Sequence, residues 1–276
     1  IGTGANSPYL MTDSNAAEAT NSNALQAVSS NGFTPGSMTR TNETGKNFVA
    51  WQWKANGGTT SSNTDGNITS TVQANTDAGF SIVTYQGNTS NNQTVGHGLG
   101  AVPSCIIIRN RTRVESWRLN YNHVNSGTGM IRLNSTDSYN TTGTTLMNVA
   151  PTSSVFNVST DWSVNGNYPF VAYCWAEKQG YSKFGSYIGN ANADGPFVYT
   201  GFKPAWVMIK FNGTDDWYIF DNKRAGYNPA VFRLRANTTG AETTGTNNTV
   251  DHLSNGFKLR FTGGSINGSN STYTYM

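Results

Sequence analysis

The residues best suited to chemistry in this chain are few and scattered. Asp215-Asp216 and Glu115 are acids beside aromatic segments, and a glycosidase sets two such carboxylates across a cleft. The segment around Glu115-Ser116-Trp117 has no second acid, so that pair is incomplete. Gly96-His97-Gly98-Leu99-Gly100 resembles a phosphate-binding loop, but that chemistry needs a helix N-terminus directly after the glycines. Val102-Pro103 and an Ile-rich strand follow instead, so the motif reads as a tight turn. His97, His123 and His252 stand apart, without the spacing a zinc site requires. No Ser/His/Asp or Cys/His arrangement stands out. The expectation is a chain with no catalytic residue, no metal and no cofactor.

Cys105 and Cys174 are expected to be buried free thiols, which suits assembly in a reducing cytoplasm. Aromatic rings in polar, loop-like stretches can stack on sugars. Trp162, Tyr139 and Tyr227 are the candidates for glycan contact, with core or interface packing as the competing use. Asn-x-Ser/Thr sequons such as Asn88, Asn134 and Asn212 are numerous, and the abundance of Asn and Thr accounts for them.

Such residues need a scaffold, and the composition says which kind. Charged residues are 12% of the chain, about half the usual share. Hydrophobics still reach 36%, with 13 Phe, 13 Tyr and 7 Trp, the reverse of a disordered chain. Gly, Asn, Thr and Ser supply turns. The net charge of +3 is spread along the sequence, which argues against nucleic-acid binding. No apolar run is long enough for a membrane span and no signal peptide is evident.

Self-similarity is the strongest signal. Phe156 and Phe257 lie 101 positions apart (257 − 156). The same offset links Pro103 to Pro204, Ile106–Arg109 to Val207–Lys210, and Arg132-Leu133 to Arg233-Leu234. Trp117 and Trp217 agree within one residue. A partial copy is anchored at Phe33, where Phe48–Ala55 mirrors Phe170–Glu177. The chain therefore divides into the C-terminal half of a first module (1–57), a Gly/Ser/Thr/Asn-rich connector (58–78), a complete module (79–178) and a third (179–276) whose closing strand is truncated. Ile1 falls in mid-module on this reading, which predicts a longer native polypeptide.

Short β-rich runs such as Cys105–Ile108, Trp206–Ile209 and Phe170–Trp175, separated by turn-forming pairs, predict strands. Asn15 to Val28, with several Ala after Asp13 or Ser14, predicts one short helix. The expected fold is all-β, with very little helix: tandem β-sandwich, jelly-roll-like modules of about 100 residues, each of roughly seven or eight strands.

Several phrases carry a family resemblance: Gly79–Tyr85, Val95–Gly100, Gly180–Tyr187 and Asp194–Phe202. They resemble a repeat region in structural proteins of marine tailed phages, of the kind often found after a laminin-G-like domain. The resemblance implies a virion component and carries over no site residue. The expected function is a non-enzymatic tail-fibre or spike segment on the outer surface of a bacteriophage virion, presenting β modules for host attachment. Its partners would be itself, as a homo-oligomer with a trimer favoured, other virion proteins and host-surface glycans. A capsid decoration protein and a carbohydrate-binding module or depolymerase are the alternatives.

Overall fold

The computed structural model describes residues 7–140 and 147–276; Ile1 lies outside them. Regular structure is almost entirely β. The chain opens with β1 (Ser7–Tyr9) paired to β2 (Ala19–Asn21), then β3 (Leu25–Ser29) paired to β4 (Gly32–Pro35). The helix expected over 15–28 is therefore strand and turn. Side chains there compete for the backbone, as when Asn21 Oδ1 accepts from Asn23 N at 2.7 Å, and such bonds favour turns over helix.

Next come β5 (Ser61–Asn63), β6 (Ser70–Asn75), β7 (Phe80–Gln86), β8 (Gln93–Gly96), β9 (Cys105–Asn110), β10 (Arg118–Tyr121), β11 (Ile131–Arg132) and β12 (Val155–Val158). The one-turn helix α1 (Trp162–Asn165) precedes β13 (Pro169–Trp175). Seven strands form one sheet in the order β11-β10-β9-β13-β7-β6-β5, while β8 pairs with β12. The stretch 58–78 is thus more than a connector, since it supplies β5 and β6. Val72 alternates into the interior there, and that burial draws a polar-looking segment into the sheet.

The last third is built from β14 (Gly185–Ile188), β15 (Phe197–Tyr199), β16 (Trp206–Phe211), β17 (Trp217–Asp221), β18 (Leu234–Arg235), β19 (Val250–Leu253) and β20 (Gly256–Leu259). The one-turn α2 (Gly264–Asn267) then leads into β21 (Thr272–Tyr275). Its sheets run β14-β21-β16-β17-β18 and β15-β20-β19. Read from the other edge, β18-β17-β16-β21-β14 matches β11-β10-β9-β13-β7 strand for strand.

Side-chain detail follows the same correspondence. Tyr85 stacks on Phe170 and Tyr187 on Tyr273, each with centroids 5.1 Å apart. The two tyrosine hydroxyls donate to Val164 O at 2.6 Å and Ile266 O at 2.7 Å. Asn165 Oδ1 accepts from Asn88 N and Asn267 Oδ1 from Asn190 N, both at 2.9 Å. One register differs from expectation. Ile131 faces Leu119 and Leu234 faces Ile219, so Ile131-Arg132 corresponds to Leu234-Arg235, an offset of 103 (234 − 131). Two extra residues are one pleat period, so every side chain keeps its face.

Each large sheet buries one face against its small sheet. Val83, Tyr85, Ile106, Ile108 and Phe170 meet Val95, Phe156 and Val158; Val207, Ile209, Tyr218 and Tyr273 meet Val198, Phe257 and Leu259. The opposite faces share a third cluster, in which Ile107, Trp117, Leu119 and Trp175 join Met208, Trp217 and Ile219.

The N-terminal segment departs from its echo. Phe48–Ala55 forms no strand. Trp53 instead wedges edge-on between Trp175 (6.2 Å) and Trp206 (5.4 Å). The anchor Phe33 is 40% exposed, whereas Phe156 and Phe257 are 0%. No helix among the described residues is long and apolar enough to cross a membrane.

Candidate functional site

The acids singled out by sequence lie at module junctions. Glu115 N donates to Asn15 O at 2.9 Å, while Glu18 N donates to Arg111 O at 2.7 Å. Between these bonds Trp117 Nε1 donates to Met11 O at 2.7 Å. At the next junction Asp215 N donates to Thr136 O and Tyr139 N to Asn212 O, both at 2.9 Å. Trp217 Nε1 donates to Arg132 O at 3.1 Å.

The acceptor positions 11, 15 and 18 recur at 132, 136 and 139, a shift of 121 each time (132 − 11, 136 − 15, 139 − 18). The docking positions 111, 115 and 117 recur at 212, 215 and 217, with one residue lost between the first two. The same three-point coupling is therefore made twice.

Asp216 is held by Arg235 Nε at 3.0 Å and Asn237 Nδ2 at 2.7 Å. The Asp216 carboxylate is thus taken up in contacts within its own module. A buried cation sits beside each coupling. Arg109 donates to Ala16 O and lies 5.7 Å from the Trp117 ring centre. Its counterpart Lys210 donates to Phe211 O and Gly213 O at 2.5 and 2.6 Å. Burial lowers both, Arg109 to about 10 and Lys210 to about 8.

The three glycan candidates lie in different places. Tyr139 is in the junction, with its ring on the shared cluster and its hydroxyl donating to Gly129 O at 3.2 Å. Burial pushes its phenol well up. Trp162, on α1, is 55% exposed and carries the Arg113 guanidinium over its ring at 4.7 Å. Tyr227 is 71% exposed and rims a polar cleft of about 260 Å³ with Lys203, Asn222, Lys223, Asn228 and His252.

A second cleft, of about 370 Å³, is lined by Trp51, Trp53, Trp175, Phe202, Trp206 and Met276 among others. Its walls come from the N-terminal segment, from residues 175–184 and 200–207, from Phe257 and from the C-terminal Tyr275-Met276. The repetition of Trp53 at Trp175 was the available sequence signal, and only the fold shows that both meet Trp206.

The remaining candidates are structural. Gly98 and Gly100 have φ of +69° and +66°, as a turn requires. His97 is buried, its Nε2 3.1 Å from Thr152 O and its Nδ1 accepting from Leu99 N at 3.2 Å. Burial lowers its pKa. Among the described residues no group of three or more His, Cys, Asp or Glu is placed to hold a metal. Cys105 and Cys174 are free and buried, in clusters on opposite faces of the sheet. Strand alternation therefore keeps them from bridging.

No curated protein and no solved structure matches the chain. Residues 4–276 match the family model described as Domain of unknown function (DUF7483), and the chain belongs to that family.

Proposed function

We propose that the chain is a non-enzymatic structural protein of a virion, a tail-fibre or spike segment on the outer surface of a tailed phage. It is built from tandem β-sandwich modules of about 100 residues, with a jelly-roll-like plan. The observation that carries this reading is the repeated three-point coupling. A joint made twice with the same backbone and indole groups sets a constant relation between successive modules, as a rod or spike needs.

Low charge and a surface rich in Asn, Thr and Ser fit a protein that works outside a cell. The chain acts as a homo-oligomer, with a trimer favoured. Light scattering after size exclusion, with immunogold labelling of particles, tests this. A trimeric mass and label on the tail support it; a monomer absent from particles overturns it.

A second reading rests on the 370 Å³ cleft whose lining includes Trp51, Trp53, Trp175 and Trp206. Indole surface in the lining of this cleft suits contact with a sugar ring, which would place host glycan contact at the module seam. A glycan array supports this if binding is lost in Trp53→Ala. An array without hits removes it.

A further inference from the structure

We infer that the edge formed by Arg235, Thr239 and Glu242 is a third, preformed acceptor for a module of this same kind, one that presents an arginine-bearing docking loop. This goes beyond the proposed virion role and does not rest on it.

The acceptor is a loop closed by a residue pair ten positions apart. Tyr9 pairs with Ala19, Met130 with Asn140 and Arg233 with Thr243. At the third site Arg233 and Thr243 exchange both backbone bonds at 3.0 Å, as Met130 and Asn140 do at 3.0 and 2.9 Å. Counting from the closing pair, positions 11, 15 and 18 become 235, 239 and 242. Arg235 lies opposite Tyr218 in its sheet as Arg132 lies opposite Arg118. Thr239 and Glu242 are exposed. Among the described residues Thr239 O accepts no hydrogen bond and Glu242 N donates none. The loop has the closing pair of an acceptor, and these two backbone groups are unpaired among the described residues.

Charge selects the occupant. At the first coupling the acceptor residue is Glu18, which takes Arg111 through two bonds, Nε to Oε2 at 2.9 Å and Nη2 to Oε1 at 2.7 Å. At the second the corresponding pair is the uncharged Tyr139 and Asn212. The third acceptor returns to glutamate. Glu242 Oε2 accepts from Arg224 Nη1, and no hydrogen bond among the described residues reaches Oε1. A forked guanidinium in the manner of Arg111 is the complementary group, so the matching loop has the Arg111–Trp117 pattern.

Trp175 lies opposite Cys105 at the end of β13. Trp206 holds the Cys105 position in β16, and it borders the 370 Å³ cleft beside Met276.

The test joins a second copy of residues 52–178 after Met276, reproducing the sequence that leads from the N-terminal segment into its docking module. Amide exchange is followed by mass spectrometry. In the 276-residue chain the Glu242 amide exchanges quickly, while those of Glu18 and Tyr139 are slow. In the extended chain Glu242 slows at least 100-fold, and Trp117→Ala in the appended copy alone restores fast exchange. A second extension, residues 174–276, presents the Asn212 loop and protects Glu242 less. Fast exchange at Glu242 beside a folded appended copy overturns the inference. So does failure of both appended copies to fold, since the edge then does not suffice to seat a module.

Discussion

Replacing Trp217 by Phe isolates the indole contribution to the second coupling. Trp217 is 0% exposed and its N–H is spent on Arg132 O. Losing that bond costs about 1 kcal/mol net. Shrinking the ring leaves a void worth about a further 1–2 kcal/mol. Taking a urea m-value of roughly 2.5 kcal/mol/M, the midpoint falls by about 1 M with m unchanged. Trp117→Phe removes the matching bond to Met11 O and shifts the midpoint similarly. Trp162→Phe is the control, and its half-exposed ring predicts a change within about 0.5 kcal/mol. Fluorescence and circular dichroism through one titration give the readout. A Trp217→Phe midpoint within about 0.2 M of wild type refutes the assignment of this residue as a coupling element.

Three further outcomes follow from the same contacts. Asn267→Ala destabilises by about 2–4 kcal/mol in thermal or urea unfolding, because Asn190 N, Asn192 O and Phe261 O all lose their buried partner; an unchanged midpoint contradicts this. Lys210 sits at about 8 in the folded state against 10.5 when unfolded. Between those values the unfolded chain holds more protons, so stability rises with pH from about 8 to 10.5, a rise that Lys210→Met removes; equal slopes for the two proteins refute it. Cys174 is pushed up to about 12 by burial and Cys105 is raised as well. A thiol reagent therefore counts none in the native protein and two after denaturation, and rapid labelling of either native thiol contradicts that burial.

Much of this architecture is legible in the residues. The Phe156/Phe257 and Trp117/Trp217 echoes mark positions that recur in the fold, because a close-packed, buried aromatic tolerates little drift. The edge strands β11 and β18 were harder to align. Arg-Leu occurs in both copies, yet the structure pairs them two residues out of step, and a period-two strand cannot reveal that slip. Phe48–Ala55 shows the opposite limit, since it has strand composition but pairs with no strand among the described residues. Asn15–Val28 has the alanines of a helix and the Asn, Thr and Ser of turns; the turns prevailed. The couplings were not legible at all. Four of their six bonds join backbone N–H to backbone C=O with no residue signature, and only the two tryptophan bonds hint at them.

Selective ¹⁵N labelling of tryptophan tests the central claim most directly, because the chain has seven indole N–H groups and two of them carry the repeated coupling. After transfer to D₂O, the Trp117 and Trp217 signals persist long after that of exposed Trp162 has gone. Loss of the Trp217 signal as fast as that of Trp162 would contradict a joint that is made the same way twice.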